Sequence, residues 1–260
     1  MEGADLILVA TPAGAVAEVL RQVAASLAPH SLVSDVCSTK VGVIEAARAS
    51  LGAAGLAGGA GAAGAAGAAG AAFGRFVPAH PIAGSERSGA AAADPDLFRG
   101  RLVVTTPLAD TLPDALERVE ALWRAAGARI ERLTPQRHDS VFAAVSHLPH
   151  LLAFALVATI ADASDAAETL HYAGSGFRDL TRIAASSPAL WRDIACANRA
   201  PLGAELRRLR ATLERLQRAL DGGDGAALEA LFELAARARR KLGGTAAPAP
   251  LAVAGGGDGV

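Results

Sequence analysis

Short runs of apolar residues alternate with helical patterns through the first half of the chain. Short continuous apolar runs are typical of strands that are buried on both faces, as in a parallel sheet. The runs predict strands at residues 5–10, 31–34, 75–78, 101–105 and 129–133. Helical patterns lie between them at residues 13–28, 41–51 and 114–126. This alternation indicates βαβ units, so residues 1–134 are predicted to form an α/β domain with a parallel sheet.

The strand signal ends at Pro135, and only helical patterns follow it. They predict helices at residues 136–160, 189–198, 201–220 and 225–242, with Gly222 and Gly223 separating the last two. Residues 135–243 are therefore predicted to form a second, all-helical domain. Residues 244–260 have no hydrophobic periodicity and are predicted to be a disordered tail.

A low-complexity insert of glycine and alanine interrupts the α/β pattern at residues 52–72. Glycine stands at every third position from 55 to 70, but without proline the segment lacks the stiffness of a collagen triple helix. Glycine also disfavours a helix, by about 1 kcal/mol per residue relative to alanine. The insert is predicted to be a lengthened, flexible connection between a helix and the next strand, which costs little in loop closure.

The composition is that of a soluble globular protein, with 52% hydrophobic and 20% charged residues. A net charge of −1 gives no electrostatic case for nucleic acid or for an anionic membrane surface. The two cysteines, Cys37 and Cys196, are too few for a disulfide framework and stand in no zinc-binding spacing. We therefore expect a cytoplasmic protein that binds no metal and no nucleic acid.

One stretch, residues 141–160, contains no Asp, Glu, Lys or Arg and is long enough to cross a bilayer. His147, Pro149 and His150 stand in its first half, and acidic residues follow it at once. A helix that is apolar on all sides is equally the central helix of a soluble domain or of a dimer. The buried-helix interpretation is favoured, so no membrane partner is expected.

The segment FVPAHPIAGSERSG, residues 76–89, carries the strongest candidate for chemistry. Its strand-like start breaks at Pro78 into a predicted loop that presents His80, Ser85 and Glu86. Open α/β sheets bind ligands beyond the carboxyl ends of their strands, and imidazole titrates near neutral pH. For a lone histidine a solvated surface loop is the simpler interpretation, and it is the other polar positions that decide against it.

Two further turns follow predicted strands at the same edge of the sheet. The first carries Thr11 and Pro12, and the second carries Asp35, Ser38 and Lys40. For Ser38 a helix N-cap and a catalytic role are both open, since one serine can serve both.

The helical domain supplies two more polar groups. In SHLPH, His147 and His150 are three residues apart and share one face of a helix that Pro149 is expected to distort. No Asp, Glu or Cys stands at a ligand spacing beside them, so a metal pair is rejected. Further on, a glycine-rich turn precedes a helix start with Arg178 and Arg182, and arginine can bind a carboxylate through two parallel hydrogen bonds.

Four segments of the chain together resemble the prephenate/arogenate (cyclohexadienyl) dehydrogenases of tyrosine biosynthesis. In chain order they are VSDVCSTK, FVPAHPIAGSERSG, HDSVFAAVSHLPHLLAFAL and GSGFRDLTRIAASSPALWRDI. The resemblance implies a Rossmann-like nucleotide-binding domain followed by a helical domain that forms a homodimer. It also implies an NAD(P)-dependent oxidative decarboxylation of prephenate or arogenate, in which the ring hydroxyl is oxidised and the ring carboxylate leaves as CO₂.

The resemblance also implies roles for individual residues. His80 corresponds to the catalytic histidine that accepts a hydrogen bond or proton from the substrate hydroxyl, and Ser38 to the serine that orients this hydroxyl. Arg182 corresponds to the arginine that binds a substrate carboxylate, and Glu86 to an acidic residue that pairs with it.

Other residues are expected to line the site around these four. The substrate pocket is expected to include Ser85, His147 and His150, with Trp191 closing it. The cofactor, NAD or NADP, is expected to contact the turns after the first two strands, at Thr11, Pro12, Ser38 and Lys40.

The front of the chain departs from the family pattern. A dinucleotide-binding domain begins with strand–GxGxxG–helix, and no such start precedes residues 5–10, which correspond to the fourth strand of the family's sheet. The glycines at 55–70 follow no strand and do not replace it. We therefore expect an N-terminally truncated sheet with an apolar edge and weak binding of NAD or NADP. The alternative to an active enzyme is a remnant that keeps only substrate binding and dimerisation.

Overall fold

The computed structural model describes residues 3–54, 72–84 and 93–242. Most of the glycine–alanine insert, the predicted tail, and the predicted site residues Ser85 and Glu86 lie outside these ranges. Contacts group the chain into two units, with the division between Leu206 and Arg207. The first unit contains two sheets and most of the helices.

The first sheet has three parallel strands, β1 (Leu6–Val9), β2 (Leu32–Asp35) and β3 (Phe76–Val77), in the order β1-β2-β3. All four residues of the central strand β2 are buried, as predicted for an apolar run with both faces covered. Within the described ranges β1 pairs only with β2. The Rossmann-like parallel arrangement predicted from the sequence is confirmed.

The second sheet was not predicted as a separate sheet. It consists of β4 (Ala79–Pro81), β5 (Leu102–Thr105) and β6 (Arg129–Arg132), with β4 antiparallel to β5 and β5 parallel to β6. The single strand predicted at 75–78 ends at Val77, because Pro78 has no N–H for a sheet ladder, and the chain then changes partner. His80 consequently lies within β4, opposite Val104, and not in a loop beyond a strand.

Three helices cover the sheets. A 3₁₀ turn (Ala13–Ala15) leads into α1 (Val16–Ala25), α2 (Val41–Ala54) follows β2, and α3 (Pro113–Ala125) precedes β6. One buried apolar cluster joins α1 and α2 to the first sheet, and a second joins α3 to the strands around Val103. Complete burial of a Leu or Val side chain stabilises the fold by about 1.5–3 kcal/mol, so these two clusters hold the strand ends in place.

The first helix after the sheets is interrupted, as expected from Pro149. It runs as α4 (Pro135–Phe142), a π-helical segment (Ala143–His147) and α5 (Leu148–Ala161). Pro149 has no N–H, so the carbonyl four residues earlier loses its helical partner, and a wider turn takes up the difference. Such π segments occur frequently at functional sites, and this one carries His147.

The segment 135–161 is long and apolar enough to cross a membrane by length and composition alone, and only 28% of its most apolar window is buried within the chain. Of α5 itself, only Ala153 is fully buried. A single copy of the chain therefore leaves one face of α5 exposed, and burial of this helix in a dimer stays a prediction.

The helical segments between α5 and the last two helices have ten residues or fewer. α6 (Ala166–His171), α7 (Ser175–Thr181) and a 3₁₀ turn (Arg182–Ala185) precede α8 (Pro188–Ala197). α9 (Arg199–Asp221) and α10 (Gly225–Leu242) then complete the described chain. Gly223, at φ +61°, makes the turn between them, as the Gly-Gly pair predicts.

Candidate active site

A fully buried ion pair stands where β2 meets β4. The Lys40 ammonium donates to the Asp35 carboxylate and, at 2.6 Å, to the Ala79 carbonyl. The same carboxylate accepts the backbone N–H groups of Cys37 at 2.9 Å and Ala79 at 3.3 Å. Lys40 was predicted to contact the cofactor, but its side chain has no exposed surface. The geometry gives it instead the role of joining the end of β2 to the strand that carries His80.

His80 is almost completely buried, with 8% of its surface exposed. Burial lowers its pKa well below 6.5, and the charge of Lys40 and the nearby rings of His138 and His147 act in the same direction. The imidazole is therefore neutral at physiological pH, which is the form that can accept a proton.

A chain of hydrogen bonds leads from His80 into α4. His80 Nδ1 lies 2.8 Å from His138 Nε2, and His138 Nδ1 lies 2.8 Å from Asp139 Oδ1. The Phe142 ring packs against both imidazoles, with centroids 4.8 Å from His80 and 4.5 Å from His138. The sequence reasoning missed His138 and Asp139, although both stand in the HDSVF segment that carries the family resemblance.

Asp139 also holds the start of α2. Its Oδ1 accepts the N–H of Lys40 at 2.7 Å and its Oδ2 accepts the N–H of Val41 at 3.0 Å. Burial alone would raise its pKa, but the hydrogen bonds from His138, Val41 and Lys40 more than offset this and lower the pKa. A carboxylate from α4 thus does the capping that was one of the two roles open for Ser38, and the Thr39 hydroxyl makes no hydrogen bond within the described residues.

His147 is fully buried in the π segment and held by Asn198. The Asn198 amide donates to His147 Nδ1 at 2.9 Å and to the Asp139 carbonyl at 2.8 Å. Burial lowers the pKa of His147 to about 4, while Asp139 and the neighbouring Ser38 backbone act in the raising direction. His147 is therefore a neutral ring packed behind Ser38, which is itself half-buried just after β2.

His150 and Trp191 form a stacked pair. Their ring centroids are 3.5 Å apart at an interplanar angle of 19°, and His150 Nδ1 donates to the Ser146 carbonyl at 2.9 Å. Burial lowers the pKa of His150, and the positive charge of Arg182 lowers it further, whereas the hydrogen bond to the Ser146 carbonyl raises it. Arg182 is exposed at the end of α7, and Arg178 donates to the Ala173 carbonyl at 3.1 Å.

The structure therefore brings most of the predicted substrate residues together. His80 and His147 interact electrostatically, His147 and His150 both contact Trp191, and the Arg182 charge acts on His150. A neutral base at one end and a guanidinium at the other suit an anionic substrate that loses a proton. Ser85 and Glu86 lie outside the described residues.

The turns after β1 and β2 fit part of a dinucleotide. Two buried hydroxyl groups there, Thr11 Oγ1 and Thr39 Oγ1, have no hydrogen-bond partner within the described residues. A buried polar group without a partner calls for an explanation such as an ordered water, an ion or a functional role, and both threonines follow the carboxyl end of a parallel strand, where such folds bind nucleotides. Pro12 is exposed beside Thr11. These two turns contain no GxGxxG sequence, which is the motif that binds the pyrophosphate of a dinucleotide.

Parallel strand ends that meet a helical segment bearing a buried base and a cationic group are the layout of a nucleotide-dependent enzyme of two parts, such as a dehydrogenase. Residues 1–75 and 67–132 match the nucleotide-binding domain of prephenate dehydrogenase, and residues 134–234 match its dimerization domain. The chain belongs to the prephenate dehydrogenase family.

Individual relatives agree with this assignment. The chain is 32% identical to the cyclohexadienyl dehydrogenase of Zymomonas mobilis, across 92% of this chain and 75% of that protein. It is 34% identical to the prephenate dehydrogenase of Bacillus subtilis, across 75% of this chain but 48% of that protein. The Aquifex aeolicus prephenate dehydrogenase in complex with hydroxyphenyl propionate and NAD⁺ superposes with a TM-score of 0.75 at 29% identity, covering 91% of this chain and 76% of that one.

Proposed function

We propose that the protein catalyses the NAD(P)-dependent oxidative decarboxylation of prephenate or arogenate, giving 4-hydroxyphenylpyruvate or tyrosine. Family membership and the names of its relatives support this reaction. The observation that carries it is the buried, neutral His80 at one end of a cluster whose other end holds Arg182.

His80 is proposed as the base that takes the proton of the substrate ring hydroxyl. Its low pKa keeps the ring unprotonated at neutral pH, and Ser38, half-buried after β2, is proposed to orient the hydroxyl. Arg182 is proposed to bind a substrate carboxylate, with Glu86 and Ser85 as further residues of this side. The His150–Trp191 stack provides a flat, largely apolar wall that suits a six-membered ring, and the buried His147 ring packs against Trp191 behind it.

Thr11 and Thr39 are proposed to bind the nicotinamide end of the cofactor through their buried hydroxyls, with Pro12 beside them. When bound, an oxidised nicotinamide dinucleotide supplies the hydride acceptor. Loss of the ring carboxylate as CO₂ leaves an aromatic ring, and this aromatisation supplies the thermodynamic drive. NAD and NADP are both compatible with the described residues.

The helical part is proposed to form a homodimer. The match to a dimerization domain supports this, as does the exposed apolar face of α5. A cytoplasmic location is proposed from the two unpaired cysteines, of which Cys37 is buried and Cys196 exposed.

The test is formation of reduced nicotinamide from prephenate and from arogenate, each with NAD⁺ and with NADP⁺. We expect turnover with at least one combination, and a decrease in kcat of about 10²–10⁴-fold in His80→Asn, the usual cost of losing a general base. An unchanged kcat in this variant would exclude His80 as the base.

A second function is binding of the substrate without redox turnover, which the cluster from His80 to Arg182 would also support. Binding of hydroxyphenyl propionate with no turnover under any cofactor condition would select it. Turnover that requires added dinucleotide would exclude it.

A further inference from the structure

The hydrogen-bonded chain behind His80 determines which of its ring nitrogens carries the proton. Three groups stand in line, each 2.8 Å from the next: Asp139 Oδ1 to His138 Nδ1, and His138 Nε2 to His80 Nδ1. His138 has no exposed surface and Asp139 has 4%, so water does not compete for these bonds. A neutral imidazole has one donor and one acceptor nitrogen, so the proton positions follow from the end of the chain.

The series of hydrogen bonds ends at the Asp139 carboxylate, which can only accept hydrogen bonds. It receives the backbone N–H groups of Lys40 and Val41 at 2.7 and 3.0 Å, and these bonds favour the ionised form. An ionised carboxylate has no proton to donate. His138 must therefore carry its proton on Nδ1 and direct it to Asp139.

The position of the proton on His138 determines the position of the proton on His80. Burial lowers the pKa of His138, so the ring is neutral and its Nε2 bears a lone pair. That lone pair can only accept, so His80 Nδ1 must be the donor at 2.8 Å. His80 is then left with a lone pair on Nε2, because it too is neutral. The opposite tautomer of His80 would point two lone pairs at one another in a buried site.

We propose that His138 and Asp139 are positioning residues that hold His80 as the Nδ1–H tautomer, so that Nε2 is the atom that takes the substrate hydroxyl proton. The proposal rests on the function proposed above, and neither residue contacts the substrate in it. In the step, the hydroxyl O–H bond breaks, an Nε2–H bond forms, and the electron pair stays on the oxygen. The positive charge that His80 gains is stabilised through His138 by the Asp139 carboxylate.

The direct test is the tautomer of His80 in solution, read from two-bond ¹H–¹⁵N spectra of the ¹⁵N-histidine-labelled protein at neutral pH without substrate. His80→Asn identifies the signal by its loss. We expect a protonated Nδ1 and an unprotonated Nε2 at position 80. A protonated Nε2 in the neutral ring would overturn the proposal, whatever the activity of the protein.

Two matched variants separate positioning from packing. His138→Phe keeps a ring against Phe142 but removes the acceptor, whereas His138→Gln keeps an acceptor oxygen near the position of Nε2. We expect His138→Phe to give a mixture of His80 tautomers and to lower kcat by at least about tenfold with KM little changed. We expect His138→Gln to restore the Nδ1–H tautomer and much of kcat.

The outcomes distinguish this proposal from the proposed function. An unaltered His80 tautomer and kcat in His138→Phe would overturn the positioning role. Equal losses in the Phe and Gln variants, with the His80 tautomer unchanged in both, would also overturn it, since packing alone would then account for the effect. The expected tautomer in a protein that turns over neither prephenate nor arogenate would contradict the proposed function while leaving the proton order intact.

Discussion

The protonation state of His80 is set by its neighbours, and this has a consequence for the pH dependence of the reaction. Burial is the largest cause of its low pKa, and Lys40, His138 and His147 add to it. A base must be unprotonated to act, so at acidic pH kcat/KM should fall as the pH passes below the pKa of His80 in the free enzyme. We expect the acidic limb of the pH profile of kcat/KM to have its midpoint below pH 6.5, the ordinary value for histidine. A limb centred at or above that value would contradict the neutral, buried environment of His80.

Arg182 provides the second prediction at this scale. Its guanidinium lies near His150, which stacks on Trp191, so the indole fluorescence can report on ligands in the pocket. We expect hydroxyphenyl propionate to change this fluorescence, and Arg182→Gln to weaken its binding by about 1.5–3 kcal/mol, the range for a hydrogen bond to a charged group. The KM for prephenate should rise to a similar degree, with a smaller effect on kcat.

Arg178→Gln is the matched control for this prediction. Arg178 stands one helical turn earlier and donates to the Ala173 carbonyl at 3.1 Å, so its replacement should leave ligand affinity within about twofold. Weaker binding in the Arg178 variant together with normal binding in the Arg182 variant would move the carboxylate site to Arg178. Trp191→Phe should abolish the fluorescence change, since the other tryptophan, Trp123, packs against Phe98 in the second apolar cluster.

Among the secondary-structure elements, α2 depends on a side chain from α4. Asp139 accepts two backbone N–H groups at the start of α2, from residues about a hundred positions earlier. Replacing it by alanine leaves these donors buried without partners and removes the acceptor for His138. We expect Asp139→Ala to lower the free energy of unfolding by about 2–4 kcal/mol in urea titrations.

A local cap in the same region gives the comparison. Thr134 caps α4 by accepting the Arg137 N–H at 3.2 Å in an exposed setting, and Thr134→Ala should cost about 1 kcal/mol. If Asp139→Ala cost no more than Thr134→Ala, the buried carboxylate would not be holding the two elements together.

The local pattern of the sequence predicts elements well where packing follows periodicity. The boundaries of β2, α3 and α10 lie within one or two residues of the predicted ranges. The short helix α6 was not predicted, because six residues contain too few turns to show a period. Of α7 only the start was predicted, from the glycine-rich turn before Arg178. The antiparallel strand β4 was missed as well. It has only three residues, and it forms by pairing with β5, about twenty residues further along the chain.

The candidate site divides in the same way. His80, His147, His150 and Arg182 stand in motifs with distinctive residue types, so the sequence points to them directly. Lys40 looks like a cofactor contact in the sequence, but the buried Asp35 and Ala79 groups satisfy its ammonium. Asp139 and Asn198 act through partners about 60 to 100 residues away, and no local spacing records such contacts.

At the scale of the whole molecule, α5 carries an apolar surface that a single chain does not cover. On α5 the exposed positions Leu152, Ala155, Leu156 and Thr159 form one stripe, spaced three and four residues apart. Leu152 and Leu156 are 37% and 36% exposed on a helix that contains no charged residue. Large contiguous apolar patches on soluble proteins mark interaction sites, and the chain matches a dimerization domain over this region.

We predict that this apolar stripe of α5 packs against a second copy of the chain. In a two-fold dimer each substitution occurs twice in one interface, and burying an unpaired ammonium costs several kcal/mol. We therefore expect the wild-type protein to sediment as a dimer and Leu152→Lys/Leu156→Lys to sediment as a folded monomer. Leu122→Lys, at a 43% exposed position of α3, should remain dimeric. A wild-type monomer at all concentrations, or a double variant that still dimerises, would show that the α5 stripe does not form the interface.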